Sequence, residues 1–232
     1  FGVVICDKWK SKIVFSEIDL STSEEIKKKY IQGLNEIINN KSFVLGSEVS
    51  DFEENFSIFT NSKYSLGLNS GTDSLEIALR VLNIGPGDEV IVPSFSFFAT
   101  SEVVIKVGAQ PIYCDINNVD LTIDIEKLES LITKKTKAII PVHLFGNSCE
   151  MSFIKKIAEN KSIKIIEDVA QAFGSKFKDS YLGTIGDFGC FSFYPTKNLG
   201  AWGDGGVISF NLKKDLDDIK SLRNHGTTKT YF

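Results

Sequence analysis

The feature that most limits how this chain can fold is an alternation of short apolar runs and helical patterns between residues 88 and 167. The predicted strands are 89–92, 111–114, 138–142 and 163–167, and the predicted helices between them are 99–107, 123–132 and 151–159. Strands separated by helices run parallel, because each helical crossover covers one face of the sheet. The pattern therefore predicts an α/β fold, with a mostly parallel sheet and helices on both faces.

Polar side chains follow several of these predicted strands, and ligands of parallel sheets gather at the carboxyl ends of the strands. The candidates there are 94–97, His143, Asp168, Gln171 and Lys197. Asp168 comes directly after the run 163–167. Its carboxylate can pair with a cationic ring nitrogen, bind a metal, or cap a helix that begins at Val169. A metal is disfavoured, because His143 and His225 are the two histidines of the chain and no spacing resembles a ligand set.

A helix start is predicted at Ser70, Gly71 and Thr72, because the apolar residues that follow have helical spacing. The first N–H groups of a helix have no intrahelical partner and the dipole is positive there, which makes this a natural seat for a phosphate. The alternative, that Ser70 or Thr72 only caps the helix, stays open. Upstream, Thr22 and Glu25 have the spacing of a capping box and predict the first helix.

Lys197 is the single lysine in a loop of small residues between two strand-like runs, 188–194 and 207–210. Ser192 precedes it, and a glycine-rich turn, 200–206, follows it. Most surface lysines are solvated charges. This setting instead favours a desolvated amine, which loses its proton more easily and attacks a carbonyl. We therefore interpret Lys197 as a candidate catalytic residue.

Charge and cysteine content exclude several classes of protein. The net charge of −4 gives no basic surface for nucleic acid, and no polybasic patch indicates membrane binding. The four cysteines, at positions 6, 114, 149 and 190, show no C-x-x-C spacing, so we expect buried free thiols in a reducing compartment. No apolar run approaches the roughly 20 residues of a membrane-spanning helix. We expect a cytoplasmic protein.

These residues together fit one cofactor, pyridoxal 5′-phosphate (PLP). A PLP enzyme needs a lysine that forms a Schiff base and a carboxylate that keeps the pyridine nitrogen protonated. It also needs a phosphate cup and usually an aromatic side chain against the ring. The chain offers, in order, Gly71 and Thr72, Phe97, Asp168, Ser192 and Lys197. Their joint occurrence predicts a PLP site.

Nine stretches, taken in order, resemble one known family. They are 69–73 (NSGTD), 85–91 (GPGDEVI), 93–100 (PSFSFFAT), 108–111 (GAQP), 141–144 (PVHL), 167–172 (EDVAQA), 191–200 (FSFYPTKNLG), 203–206 (GDGG) and 222–226 (LRNHG). The chain is similar to the DegT/DnrJ/EryC1/StrS family of PLP-dependent sugar aminotransferases, a branch of the aspartate aminotransferase (type I) fold. The resemblance runs from about Ile13 to the end of the sequence.

The resemblance implies a role for each matching residue. Lys197 would carry PLP and Asp168 would pair with the pyridinium nitrogen, so these two are the predicted catalytic residues. The implied cofactor-binding residues are Gly71, Thr72 and Ser192 at the phosphate, Phe97 on the ring face and Gln171 near the ring hydroxyl. His143 lies in a matching stretch, but it is assigned no catalytic role and a structural role stays open.

The resemblance also implies a reaction, a transamination that moves an amino group from a donor, commonly glutamate, to a keto carbon of a nucleotide-linked sugar. A homodimer is implied in the same way. Two alternatives stay open, a PLP-dependent sugar dehydratase and a truncated, non-catalytic part of an aminotransferase. Some related dehydratases carry histidine in place of the lysine, so Lys197 favours the aminotransferase.

The domain organisation is predicted from the same resemblance. Residues 1–20 are expected to form an N-terminal extension and residues 21–232 a PLP-binding large domain, with a sheet of the seven-stranded type. Members of the family usually continue into a small C-terminal domain, which reaches the neighbouring subunit's phosphate. We therefore expect this chain to be a fragment of a longer gene product, from which that domain is largely missing.

Overall fold

The computed structural model describes residues 24–227. The helices are α1 Glu24–Asn40, α2 Ser47–Thr60, α3 Gly71–Val81, α4 Ala99–Lys106, α5 Ile125–Leu128, α6 Met151–Lys161 and α7 Lys214–Arg223. The strands are β1 Tyr64–Leu68, β2 Glu89–Pro93, β3 Gln110–Cys114, β4 Thr136–Ile139, β5 Lys164–Asp168, β6 Lys176–Phe177, β7 Ser180–Tyr181, β8 Phe188–Ser192 and β9 Gly206–Phe210. The expected extension 1–20, Cys6 and Thr22 of the capping box lie outside the described residues.

Over the described range, seven strands form one sheet in the order β1-β9-β8-β5-β4-β2-β3. The pairs β2–β3, β2–β4, β4–β5 and β5–β8 are parallel. β9 runs antiparallel to its neighbours β8 and β1, and β6 and β7 pair separately. The mostly parallel α/β sheet predicted from the sequence is confirmed.

Helices cover both faces of this sheet. Along β2, Val90 and Val92 are buried in one core and Ile91 in another, which is the two-residue period of a strand. The first core includes Leu79 of α3 and Val103 of α4, both fully buried, and the second is closed by α6. The continuous apolar runs of the sequence therefore mark strands that are buried on both faces.

Aromatic residues of α2 build a third core. Phe56 is 4% exposed, and its ring centroid lies 4.9 Å from that of Phe191 and 6.0 Å from that of Phe193. Phe59 stacks on Phe173 but remains 47% exposed. This core anchors the segment that follows β8, and so supports the loop that carries Lys197.

One predicted element is wrong in its extent. The helix expected over 123–132 is limited to α5 and a 3₁₀ turn at Glu129–Leu131. The cause is local, since the Asp124 side chain accepts the Glu126 N–H at 3.0 Å and so starts the helix late. Ile123 is drawn instead into an antiparallel bridge with Ile116.

The strand expected over 138–142 also differs. β4 is described as Thr136–Ile139, and beyond it Val142 makes only an isolated bridge with Asp168. Pro141 lies between them and has no N–H to donate to a ladder, so regular pairing stops before it. Its carbonyl still accepts the Asp168 N–H at 2.9 Å, which keeps the chain beside the end of β5.

A buried carboxylate ties the loop 183–186 to β5. Glu167 is completely buried, and it accepts the N–H groups of Gly183 at 2.8 Å, Ile185 at 2.8 Å and Gly186 at 2.7 Å. An ionised carboxylate only accepts hydrogen bonds. The three bonds therefore satisfy the carboxylate and also give each of these backbone N–H groups an acceptor. These hydrogen bonds therefore fix the position of the loop 183–186 relative to β5.

His143 is the fourth partner of this carboxylate. Its Nε2 lies 3.1 Å from Glu167 Oε2, and its Nδ1 accepts the Cys149 N–H at 3.2 Å. Because Nδ1 acts as an acceptor, Nε2 carries the proton and donates to Glu167. The ring is fully buried and connects β5 to the segment before α6. The structural role that the sequence left open for His143 is the one this geometry supports.

We predict that Glu167→Gln lowers the free energy of unfolding by about 2–4 kcal/mol, because the amide turns an NH₂ group toward donors in a dry interior. Urea denaturation followed by circular dichroism measures this. The control is Glu159→Gln on the exposed side of α6, which should change stability by less than about 0.5 kcal/mol. Equal stability of the two variants would contradict the anchoring role of Glu167.

Candidate active site

A cleft of about 490 Å³ opens at the carboxyl ends of β5 and β8. The segment after β2 and the start of α3 complete its wall. The residues that line it include all seven predicted from the sequence, Gly71, Thr72, Phe97, Asp168, Gln171, Ser192 and Lys197. They meet because parallel strands place their carboxyl ends at one edge of the sheet, where ligands of such sheets bind.

The wall on the α3 side is a helix N-terminus pressed against β8. A Cβ on Gly71 would lie 2.7 Å from Ser192 Cβ, and a Cβ on Gly206 would lie 2.3 Å from the carbonyl carbon of Ser70. Only residues without a Cβ allow this approach. Consequently the first N–H groups of α3 and the Ser192 hydroxyl face the same cleft.

Ser70 caps α3, which leaves Gly71 and Thr72 free for the phosphate predicted from the sequence. The Ser70 hydroxyl accepts the Asp73 N–H at 3.0 Å, so Ser70 is the N-cap of α3. The N–H groups of Gly71 and Thr72 belong to the first turn, which has no intrahelical acceptors. They remain for an anion in the cleft, where the positive end of the helix dipole favours one.

Asp168 ends β5 and is 6% exposed. Its Oδ1 accepts the Ala170 N–H at 3.1 Å, and its Oδ2 accepts the Thr100 hydroxyl at 3.0 Å. The helix that Asp168 was considered to cap is not formed; the chain turns instead, with the Ala172 N–H donating to the Val169 carbonyl at 3.1 Å. The carboxylate therefore keeps lone pairs for a partner in the cleft.

The electrostatics of Asp168 follow from this placement. Burial raises the pKa of the Asp168 carboxyl above its ordinary value, and the hydrogen bonds from Ala170 and Thr100 oppose that rise. The charge of Lys197 also lowers this pKa, which puts the ammonium within electrostatic reach of the carboxylate. The site therefore combines a costly buried anion with groups that favour its ionised form.

Lys197 lies in a loop that closes on itself above β8 and β9. The Phe193 N–H donates to the Gly205 carbonyl at 2.8 Å, the Ala201 N–H to the Phe193 carbonyl at 2.8 Å, and the Lys197 N–H to the Tyr194 carbonyl at 2.8 Å. The loop thus presents the lysine to the cleft from a fixed base. The side chain is half-buried, less enclosed than the desolvated amine predicted from the sequence.

The two remaining predicted residues lie at the rim and the far wall. Phe97 is 68% exposed, so its ring is free to cover a flat ligand. Gln171 accepts the Phe145 N–H through Oε1 at 2.9 Å, which leaves its NH₂ group as a donor. An aromatic face and an amide donor therefore complete the cleft.

Reasoning from the sequence missed two groups that shape the site, Thr100 and Glu167. Thr100 was noted only as the end of the matching stretch 93–100, and Glu167 only as the residue before Asp168. A signal for Thr100 was present, because Ser96 and Thr100 are four residues apart where a helix begins, and this spacing places two hydroxyls side by side. Their oxygens lie 3.0 Å apart.

Other ligand classes find little support in the part of the chain that is described. Between residues 24 and 227, no cluster of three or more histidine, cysteine or acidic side chains has the arrangement of a metal site. Within the same range, no helix has both the length and the apolar character needed to cross a membrane. Cys114, Cys149 and Cys190 are free and buried, as expected for these three.

The sequence model of the DegT/DnrJ/EryC1/StrS aminotransferase family matches residues 24–232. The chain belongs to this family. The resemblance found in the sequence is thereby confirmed.

Several known members of the family are similar to this chain. It is 42% identical over 206 residues to the UDP-N-acetyl-3-dehydro-alpha-D-glucosamine 3-aminotransferase of Acidithiobacillus ferrooxidans, covering 89% of this chain and 56% of the relative. The structure of S. venezuelae DesV in complex with a ketimine intermediate superposes with a TM-score of 0.87 at 36% identity, over 90% of this chain and 56% of DesV.

A third relative catalyses a different reaction. A GDP-4-keto-6-deoxymannose-3-dehydratase with a trapped PLP-glutamate geminal diamine has a TM-score of 0.84 at 30% identity, over 92% of this chain and 56% of that protein. The chain thus spans about half the length of the relatives that it matches. PLP, the cofactor predicted from the sequence, is confirmed at the level of the family.

The cleft of this chain fits that cofactor. Two backbone N–H groups and a hydroxyl converge where the helix start meets β8 without a Cβ between them, which suits a phosphate. The buried Asp168 keeps lone pairs for a ring nitrogen. Lys197 lines the same cleft.

We predict that Gly71→Ala weakens PLP binding at least tenfold, because its Cβ would force the start of α3 away from Ser192. PLP affinity is measured by fluorescence or absorbance titration, with circular dichroism to verify folding. The matched control is Gly203→Ala in the glycine-rich turn before β9, where a Cβ would meet nothing within 4 Å. Equal affinities would show that the close approach does not build the phosphate seat.

A second prediction concerns pH. Because burial raises the folded-state pKa of Asp168, the ionised carboxylate costs stability only above the ordinary aspartate pKa, about 4. Without PLP, the stability of Asp168→Asn relative to wild type should therefore rise as the pH increases from about 4 toward the raised pKa, and should stay constant above it. Urea denaturation across this range measures the difference. Asp51→Asn, an exposed control on α2, should follow wild type at every pH, and an Asp168→Asn curve parallel to it would contradict the assignment.

Proposed function

We propose that this chain is the cofactor-binding part of a PLP-dependent aminotransferase, which transfers an amino group from an amino acid, with glutamate as the proposed donor, to the keto carbon of a nucleotide-linked sugar. The observation that carries this proposal is the convergence of Lys197, Asp168 and the Gly71–Thr72 helix start in one cleft. Similarity to a UDP-sugar aminotransferase and to DesV supports the substrate class.

Each wall of the cleft has a task in this proposal. The bound cofactor supplies an electron-accepting ring that stabilises negative charge on the substrate carbon. Gly71 and Thr72 donate their N–H groups, and Ser192 its hydroxyl, to the cofactor phosphate. Phe97 covers the ring face, and the Gln171 NH₂ group donates near the ring hydroxyl. These contacts fix the orientation of the ring relative to the two catalytic residues.

Asp168 and Lys197 act on protons. The Asp168 carboxylate would hold the pyridine nitrogen in its protonated form. A positive charge there would offset the cost of burying the carboxylate, which is the cost that raises the Asp168 pKa. The Lys197 amine attaches the cofactor. When free, this amine would carry a proton to or from the substrate carbon. The backbone hydrogen bonds of the loop and the position of Lys197 in the cleft lining support both tasks.

A second copy of the chain is the macromolecular partner in this proposal. α1 exposes Ile31 (58%), Leu34 (55%) and Ile38 (51%), and the following segment exposes Phe43 (66%) and Val44 (83%). Contiguous apolar surface of this kind is typical of an interface. A homodimer would cover it, and sedimentation of the complete protein as a monomer would contradict the proposal.

The proposed location is the cytoplasm. Free, buried thiols at Cys114, Cys149 and Cys190 suit a reducing compartment. Recovery of the protein in a membrane or secreted fraction would contradict this part of the proposal.

The test uses the complete protein incubated with PLP and then reduced with borohydride. We expect mass spectrometry to find the cofactor on the peptide that contains Lys197. Lys197→Ala should lose this label and lower turnover by about 10⁴-fold or more, because both attachment and proton transfer are lost. Lys156→Ala, on the exposed side of α6, is the control and should keep both.

Label spread over surface lysines, or unchanged turnover in Lys197→Ala, would overturn the proposed function. Product analysis then separates the alternative that remains. An amino sugar supports the aminotransferase, whereas a deoxy sugar formed without incorporation of nitrogen supports a dehydratase, the reaction of one structural relative. Binding of PLP without any turnover in the complete protein would support a non-catalytic role.

A further inference from the structure

Two hydroxyl groups connect the cleft to the buried side of Asp168. Thr100 lies in the first turn of α4 and is 1% exposed, and its Oγ1 donates to Asp168 Oδ2 at 3.0 Å. Ser96 is half-buried and lines the cleft, and its Oγ lies 3.0 Å from Thr100 Oγ1. Thr100 itself does not line the cleft, so its contact with a ligand is indirect.

The direction of these hydrogen bonds follows from the number of protons. A threonine hydroxyl has one proton, and Thr100 commits it to Asp168. Thr100 therefore accepts from Ser96, and the Ser96 proton points toward Thr100 and away from the cleft. If Asp168 were protonated, the direction of both hydrogen bonds could reverse. Donation from Ser96 to Thr100 and from Thr100 to Asp168 is thus specific for the ionised Asp168 carboxylate.

We propose that Thr100, supported by Ser96, is a positioning residue of the proposed aminotransferase, which holds the Asp168 carboxylate ionised and in the rotamer that meets the cofactor's ring nitrogen. This inference rests on the proposed function. It adds a role for two hydroxyls to which the proposed function gives none.

The surroundings of Asp168 explain why such support is needed. The carboxylate is buried, and the neighbouring ionisable groups on the packed elements are Glu167, His143, Cys190 and Lys197. Glu167 is a second negative charge in the same strand, and Cys190 on β8 is a neutral thiol whose pKa is raised by burial. Among hydrogen bonds described for the Asp168 carboxylate, only the one from Thr100 comes from a side chain. Removing it leaves one backbone donor for a buried charge.

The same turn also couples Asp168 to the ring face. The Thr100 N–H donates to the Phe97 carbonyl at 3.2 Å, so one turn of chain sets both the aromatic side chain at the rim and the hydroxyl beneath. A cofactor ring between Phe97 and Asp168 would therefore be located by a single rigid segment at the start of α4. Loss of the hydroxyl alone should affect the nitrogen contact and leave the stacking contact.

The experiment compares the affinity of the complete protein for PLP and for 1-deazapyridoxal 5′-phosphate, which lacks the ring nitrogen. Both bind the phosphate seat and react with lysine, so the ratio of affinities reports only the contact with Asp168. The ratio is the affinity for PLP divided by the affinity for the deaza analogue. We expect Thr100→Val, which keeps the shape of the side chain, to reduce this ratio about tenfold, because it removes a hydrogen bond to a charged group. Thr100→Ser should restore the wild-type ratio, because it keeps the hydroxyl.

An unchanged ratio in folded Thr100→Val would overturn this inference while leaving the proposed function intact. If Thr100→Val does not fold, Thr100→Ala, which also removes the hydroxyl that donates to Asp168, decides instead; a lowered ratio supports the inference and a wild-type ratio overturns it. Failure of the wild-type protein to bind PLP would overturn the proposed function and this inference together. The readout is an affinity, so it does not depend on turnover.

Discussion

Two adjacent carboxylates at the end of β5 carry the constraint on which the rest of the site depends. Successive side chains of a strand point to opposite faces, so Glu167 meets the loop 183–186 and His143 while Asp168 meets the cleft. Glu167 has four donors and is fixed. Asp168 has two, which hold it in place and still leave acceptor capacity. One strand thus supplies a structural charge and a reactive one from neighbouring positions.

The second constraint is the distance between a helix and a sheet. A helix N-terminus attracts an anion by about 0.3–1 kcal/mol, and the effect fades within one turn. The start of α3 is useful to a ligand above β8 only because Gly71 and Gly206 let backbones approach to a distance that any side chain would prevent. Two glycines far apart in the sequence therefore create the close approach on which the proposed phosphate seat depends.

The sequence predicts the sheet well, and the seven residues that it nominates for a site line one cleft, because both depend on local signals. Strands buried on both faces appear as apolar runs, and the cleft follows from the rule that their carboxyl ends share one edge. The helix over 123–132 was overestimated because Asp124 can cap as well as continue it, and the spacing of apolar residues does not distinguish these. Strand 138–142 was overestimated because Pro141 breaks pairing within an apolar run.

The support of Asp168 could not be predicted in the same way. Thr100 and Asp168 are separated by 68 residues, and their contact depends on how α4 packs beside β5. The role of Glu167 was indicated even less by the sequence. Its burial is explained only by the folded structure, in which three N–H groups of a distant loop donate to its carboxylate. Long-range polar contacts leave no periodic trace in a sequence, whereas the groups that touch a ligand lie at strand ends and helix starts.

The charges of Lys197 and Asp168 bear on how a cofactor would bind in the cleft. A buried carboxylate needs a nearby positive charge, and in this structure the Lys197 ammonium supplies part of it. Attachment of a cofactor at Lys197 would occupy that amine and bring a protonated ring nitrogen toward Asp168. The carboxylate would then exchange the half-buried Lys197 ammonium for the ring nitrogen as its counter-ion. Such an exchange would favour the ionised form of Asp168 and would not require the carboxylate to move. It is therefore compatible with the hydrogen bond by which Thr100 holds Asp168 at the end of β5.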